Sequence, residues 1–192
     1  MQHHLSQSIA DFLLCQKIIN KKEKEIYIYG IQLFLSSIVN LLICITISSL
    51  LDELANGILF FVLFSSLRRF TGGFHCKTFI MCNIVFSMIV TFVLLVNRFV
   101  GNIFGELVFF IATVFFCLIC ICLFSPVYNK NKKLTNIEIK KFKIISIVVY
   151  MIHIFFYFLI LIIFNYRLNI ILTGDLIVVF MILLGVVNNK KL

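Results

Sequence analysis

The residues best suited to chemistry lie in one short segment, 68–82, where a histidine and a cysteine stand seven positions apart. His75 could act as base or acid at neutral pH, because an unperturbed imidazole has a pKa near ~6.5. Cys82 could act as a nucleophile once its thiol loses its proton. On one continuous helix the two would share a face but stand about 10 Å apart along the axis, too far for proton transfer. We therefore expect the helix to begin near Thr78, with His75 on a loop that folds over Cys82.

The rest of the segment fits this interpretation. Gly72-Gly73 allows a backbone turn that a residue with a Cβ would resist. Positive charge should favour the Cys82 thiolate, although basic residues at such a loop also serve membrane topology. The basic residues are Arg68, Arg69 and Lys77. Cys76, next to the histidine, is a second thiol that chemistry alone does not exclude as the nucleophile.

Composition places this segment in a membrane protein. The 192 residues are 62% hydrophobic with a mean hydropathy of +1.12, which is more apolar surface than a soluble domain can bury. Most of the seven cysteines fall in apolar runs, where they are expected to be small inert hydrophobes rather than a disulfide framework. We predict an all-α polytopic helical bundle forming a single membrane domain, 1–192. Its six predicted spans are 30–51, 55–70, 79–96, 103–124, 144–164 and 170–187.

Charge distribution predicts the orientation of the spans. Of the 17 lysines and arginines, all but Arg98 and Arg167 fall in the terminal segments and in the second and fourth loops. Those regions, with both termini, are therefore expected to face the cytoplasm. Residues 1–26 show helical spacing of apolar side chains and predict an amphipathic helix on the inner membrane surface or against the protein's own loops. The net charge of +9 is then a feature of the inner leaflet rather than of nucleic-acid binding.

The motif Arg69-x-x-Gly72-Gly73-x-His75-x6-Cys82 resembles the signature of the accessory gene regulator B family. These are membrane peptidases that process quorum-sensing propeptides in Gram-positive bacteria. The chain length, the several spans, the amphipathic N-terminus and Ser125-Pro126-Val127 before a basic loop are similar too. Three positions depart from the family: Ser125 stands where many members have alanine, Lys133 where they have a second proline, and Cys76 where members often have alanine.

The resemblance implies a cysteine endopeptidase of the bacterial cell membrane that needs no cofactor or metal. Cys82 would attack a peptide bond in the C-terminal part of an amphipathic, membrane-associated propeptide, and His75 would accept the thiol proton. A cysteine or serine of the propeptide would then resolve the thioester on Cys82 and release a thiolactone or lactone. The resemblance also leaves room for a homodimer, in which His75 of one subunit serves the other.

Supporting roles are assigned on weaker grounds. Gln32 could orient His75 or donate to an oxyanion, or form an ordinary interhelical hydrogen bond. Arg69 could bind a propeptide carboxylate or stabilise the thiolate, and Asn83 could line the site. Gly72 and Gly73 would shape the turn.

Two other readings of the sequence remain. A small multi-span transporter or peptide exporter without peptidase chemistry also suits the predicted spans, although such proteins usually carry ionisable residues at mid-membrane. Apart from His153, a lone polar residue of the fifth span, and the Thr173-Gly174-Asp175 stretch expected near the outer face, no such residue stands out. Cys117-x-x-Cys120-x-Cys122 could suggest a metal or redox site, but Cys122 leaves the face that the other two share, so packing explains the three better.

Overall fold

The structure is a computed structural model, and it describes residues 2–74, 76, 78–100, 107–127, 135–165 and 168–190. Within these residues all regular secondary structure is α-helical, as predicted. The helices are α1 (Gln2–Cys15), α2 (Lys24–Leu50), α3 (Leu54–Thr71), α4 (Phe79–Val100), α5 (Leu107–Phe124), α6 (Asn136–Phe164) and α7 (Asn169–Lys190).

Five of these helices, α2, α3, α4, α6 and α7, are long and apolar enough to cross a membrane. The predicted fourth span, 103–124, corresponds to α5, whose apolar part Val108–Phe124 is shorter, while residues 103–106 lie outside the described residues. The chain is thus a multi-pass membrane protein. Span two includes Arg68–Phe70 at its end, as its short apolar run requires, since α3 continues to Thr71.

Several boundaries differ from the predicted ones. The N-terminal helix covers Gln2–Cys15 rather than 1–26, because the backbone turns at Lys17, whose φ is 56°. α6 begins at Asn136, eight positions before the predicted 144, because a capping box starts it there. Thr135 accepts from the Glu138 backbone N–H, and the Glu138 carboxylate accepts from the Thr135 backbone N–H. The charged residues that precede the apolar stretch, 138–143, therefore belong to α6.

The chain divides into two compact units, Met1–Ile43 and Cys44–Leu192. In the first unit, Lys24 at the start of α2 forms an ion pair with Asp11 of α1, with 2.5 Å between Nζ and Oδ1. In the second unit α7 is the central helix, because it contacts α3, α4, α5 and α6. Of its most apolar stretch 61% is buried, against 22% for α4 and for α6. An evenly apolar helix suits that position, since every side of it meets protein.

Candidate active site

The segment between α3 and α4 turns sharply at its two glycines. α3 ends at Thr71, and Gly72 and Gly73 have φ values of 68° and 129°, which side chains with a Cβ rarely adopt. Space is short as well: a Cβ on Gly72 would lie 2.8 Å from the Val127 carbonyl oxygen, and one on Gly73 would lie 2.8 Å from Nη1 of Arg68. The predicted turn is therefore present, and both its conformation and its surroundings require glycine.

Two neighbouring segments hold this turn in place. The Phe74 N–H donates to the Met181 carbonyl of α7 at 2.8 Å, and the Val127 N–H donates to the Thr71 carbonyl at 2.9 Å. Gly185 lies one helical turn beyond Met181, and a Cβ there would come within 2.8 Å of the Gly73 carbonyl carbon. The turn is thus fixed between α7 and the Ser125-Pro126-Val127 segment.

Cys82 lies in the first turn of α4, where the helix begins at Phe79. Thr78 starts the helix: its carbonyl accepts from the Cys82 N–H at 3.1 Å, and its hydroxyl accepts from the Met81 N–H at 3.3 Å. This agrees with the expectation that the helix begins near Thr78. A helix N-terminus carries a partial positive charge that favours a thiolate, and the half-buried Cys82 side chain lies within that first turn.

His75 and Lys77 lie outside the described residues. The approach of His75 to Cys82 therefore stays a prediction from the sequence. What the structure adds is that the segment from Gly72 to Thr78 is not helical where it is described, so the ideal-helix separation of about 10 Å does not apply to the pair.

Arg68 points its guanidinium into the same region. Its Nη2 donates to the Phe74 carbonyl, and its Cζ lies 5.6 Å from the centre of the Phe64 ring. Its charge interacts with the thiols of Cys82 and Cys76. Within the described part of the chain, the buried Nη1 atom has no hydrogen-bond partner. Arg68 therefore supplies positive charge at the thiols and retains one free donor.

Cys76 lies on the loop, and its thiol interacts with that of Cys82. Burial raises the pKa of the Cys76 thiol, and the neighbouring Cys82 raises it further, while Arg68 lowers it. A raised pKa leaves less thiolate at neutral pH. This argues against Cys76 as the nucleophile.

The supporting residues fall in different places. Arg69 is exposed at the end of α3, whereas Arg68 is the arginine beside the thiols. Asn83 is half-buried next to Cys82, and its Oδ1 has no hydrogen-bond partner among the described residues. Gln32 is a buried residue of α2 in the first unit. The roles predicted for these three side chains stay predictions.

The contribution of α7 to the site was not apparent in the sequence. Met181 and Gly185 lie about 100 residues after the motif, inside an apolar span. Met181 contributes a backbone carbonyl, which every residue type has, so the sequence does not indicate this contact. The one available signal was Gly185 itself, because a glycine within a spanning helix often marks a close backbone approach.

Comparison with known proteins agrees with the motif. The family model of accessory gene regulator B matches residues 6–184. AgrB-like protein 2 of Clostridium perfringens (strain 13, Type A) is 25% identical over 146 residues, which is 73% of this chain and 68% of the relative. A second AgrB-like protein, from C. perfringens (strain SM101, Type A), is 27% identical over a region of the same extent. No solved structure matches the chain. Since the family model covers nearly the whole sequence, the chain belongs to the accessory gene regulator B family.

Proposed function

We propose that the protein is a membrane cysteine endopeptidase that cuts an autoinducing-peptide propeptide and closes the product into a ring. The observation that carries the proposal is the position of Cys82, at the N-terminus of α4 and within electrostatic reach of Arg68. A helix N-terminus and a nearby guanidinium are typical surroundings of nucleophilic cysteines. Family membership supports the same role in peptide processing.

The first step forms an acyl-enzyme. Sγ of Cys82 attacks the carbonyl carbon of the scissile bond while its proton passes to His75. The C–N bond then breaks, His75 returns the proton to the leaving amine, and the N-terminal part of the propeptide stays on Cys82 as a thioester. Negative charge on the carbonyl oxygen needs donors, and we assign these to Nη1 of Arg68 and to the N–H groups of Phe79 and Ile80, since those of Met81 and Cys82 bond to Thr78.

The second step forms the ring. A thiol or hydroxyl of the propeptide attacks the thioester carbonyl, its proton passes through His75 to the departing Cys82 thiolate, and a thiolactone or lactone is released. No water is consumed, so the cyclic product is one water lighter than the linear acid. The Gly72-Gly73 turn is held against α7, and we propose that this anchoring orders the site so that the propeptide's own nucleophile competes with water.

The substrate we propose is an amphipathic propeptide on the inner leaflet. The basic loops at that face attract anionic lipid and acidic peptide segments alike. We place both termini and the segment 68–82 on the cytoplasmic side, where a propeptide made in the cytoplasm reaches the site without crossing the membrane. A homodimer is compatible with this chemistry.

The test is co-expression with a candidate propeptide taken from the neighbouring genes, followed by mass spectrometry of its fragments. We expect a dehydrated N-terminal fragment and the released C-terminal piece from the wild type and from Cys76→Ala, and neither from Cys82→Ala. Cys122→Ala, which alters a half-buried cysteine of α5, is the matched control and should process normally. Full processing by Cys82→Ala would refute the proposal. A transporter without peptidase activity predicts no cleavage in any variant.

A further inference from the structure

A second polar cluster lies inside the helical bundle, formed by one residue from each of α3, α6 and α7. Nε2 of His153 lies 3.1 Å from Oγ of Ser66, and its Nδ1 lies 2.8 Å from Oδ1 of Asp175. The His153 and Asp175 side chains are only 5% and 2% exposed. These residues take no part in the proposed peptide chemistry. We call them the Ser66–His153–Asp175 cluster.

The cluster lies within membrane-spanning segments, where charge is expensive. α3, α6 and α7 are all candidate spans, and the two ionisable members are interior to their helices. Ionisable residues at such positions pair with one another and mark functional sites. A carboxylate beside a neutral imidazole would leave a net negative charge in a low-dielectric region, whereas one further proton makes the pair neutral overall.

The hydrogen bonds of Ser66 bear directly on that proton. Its Oγ also lies 2.8 Å from the Leu63 carbonyl, to which it donates. A hydroxyl has a single proton, so an Oγ that donates to Leu63 accepts from an Nε2–H of His153, and this sets the tautomer on which the direction of that contact depends. With Nε2 protonated, the contact at Nδ1 is either an imidazolium donating to carboxylate or a protonated Asp175 donating to imidazole. Both arrangements hold one proton more than a carboxylate beside a neutral imidazole.

Asp175 supplies an independent indication of the same state. Among the described residues, its buried Oδ2 has no hydrogen-bond partner. A bare carboxylate oxygen in this place is costly, and a shared proton reduces that cost. The titratable groups that reach Asp175 from the packed helices, besides His153, are Cys117 of α5 and Tyr150 of α6. Neither carries positive charge, and Arg68 of α3 interacts with the cysteine thiols instead.

We propose that Ser66, His153 and Asp175 form a binding site for one proton inside the membrane, and that losing this proton reverses the Ser66–His153 hydrogen bond. Without the proton, Nε2 becomes an acceptor, and the Ser66 hydroxyl turns from Leu63 towards it. The Ser66–His153 hydrogen bond joins α3 to α6, and Ser66 lies two residues before Arg68. Proton binding therefore changes a contact at the end of α3 that carries the proposed active-site arginine. This inference does not depend on the peptidase function.

A serine nucleophile is the competing interpretation, since serine hydrolases join the same three residue types. Ser66 lies within α3, whose backbone N–H groups there are committed to the helix and so do not form an oxyanion hole for it. The geometry therefore favours a proton site over a hydrolytic one. A fluorophosphonate probe distinguishes the two, because it labels an activated serine and leaves a hydrogen-bonding serine unmodified.

The test is ¹⁵N NMR of the histidine ring in lipid bilayers, with His3, His4 and His75 replaced by glutamine so that His153 alone reports. Titrating from about pH 5 to about pH 10, we expect Nε2 to carry a proton at low pH and to lose it in one step. Ser66→Ala should lower the proton affinity about tenfold, because the protonated state has one more hydrogen bond through Ser66. Ser66→Thr, which keeps the hydroxyl, should restore the wild-type midpoint.

Two further variants complete the experiment. Asp175→Asn should abolish the step while the protein still elutes as a single folded species. Ser65→Ala removes a hydroxyl whose hydrogen bonds, in the part of the chain that the structure describes, lie within α3, and it should leave the midpoint unchanged. The proposal is overturned if Nε2 is bare at every pH, if no step occurs, if Ser66→Ala titrates like the wild type, or if the probe labels Ser66.

Discussion

Gly185→Ala should disable the proposed active site although Gly185 carries no reactive group. An added Cβ would lie 2.8 Å from the Gly73 carbonyl carbon, 2.9 Å from the Phe74 nitrogen and 3.0 Å from Cγ1 of Val127. Ordinary contact begins at 3.4 Å, so the turn must withdraw from α7 by about half an ångström. A misplacement of about 1 Å near a reacting centre costs roughly 100-fold in rate, so we expect a loss of about tenfold.

The free energy of unfolding should change less than the activity does. Overpacking typically costs about 1–3 kcal/mol, and alanine regains about 1 kcal/mol over glycine within a helix. The two contributions largely offset each other, and the variant should remain folded. What it loses is the bond from the Phe74 N–H to Met181, which positions the loop.

The assay is the initial rate of propeptide cleavage by protein reconstituted in lipid vesicles, with Gly174→Ala as the matched control. Gly174 lies on the same helix, and its added Cβ would lie 3.5 Å from the Phe60 ring, an ordinary contact. The control should therefore cleave at the wild-type rate. Wild-type cleavage by Gly185→Ala would refute the argument that α7 positions the loop, and an equal loss in both variants would indicate general damage to the helix.

Further predictions concern Arg68 and Cys76. Arg68→Lys should lower the cleavage rate about 10–100-fold, because a charged hydrogen bond to the Phe74 carbonyl is lost, whereas Arg69→Lys at the exposed neighbour should change it less than twofold. Since the pKa of the Cys76 thiol is raised, its alkylation by iodoacetamide should be slow at neutral pH and accelerate as the pH rises; rapid labelling at neutral pH would contradict this. Hydrogen peroxide should join Cys76 and Cys82 as a disulfide, reducing peroxide to water and inactivating the enzyme until a thiol reductant is added. Cys76→Ala should form no such disulfide by peptide mapping.

Local patterns predicted the elements that form the site. The helix start near Thr78, the extension of span two through Arg68–Phe70, and the turn at Gly72-Gly73 each follow from spacing and residue type, and each is present. The ends of α1 and α6 were harder to place. Hydropathy locates the apolar stretch of a helix but not its capping residues, such as the Thr135–Glu138 box that starts α6 outside the membrane.

Contacts between distant segments could not be predicted in the same way. His153 looked like an isolated polar residue of span five, and its bonds to Ser66 and Asp175 depend on how α3, α6 and α7 pack. The same holds for the choice between adjacent arginines, since a one-residue step along α3 turns a side chain by about 100°. Arg68 therefore reaches the thiols while Arg69 is exposed, although Arg69 is the arginine that the motif names.

The central claim is that Cys82 forms the acyl-enzyme, and trapping that thioester tests it most directly. A propeptide whose ring-forming cysteine or serine is replaced by alanine should be cleaved but resolved slowly, so the thioester should accumulate. Intact-mass analysis should then show the protein carrying the N-terminal propeptide fragment, with the adduct on the peptide that contains Cys82 and released by hydroxylamine. An adduct on Cys76, or cleavage by the Cys82→Ala protein, would contradict the account.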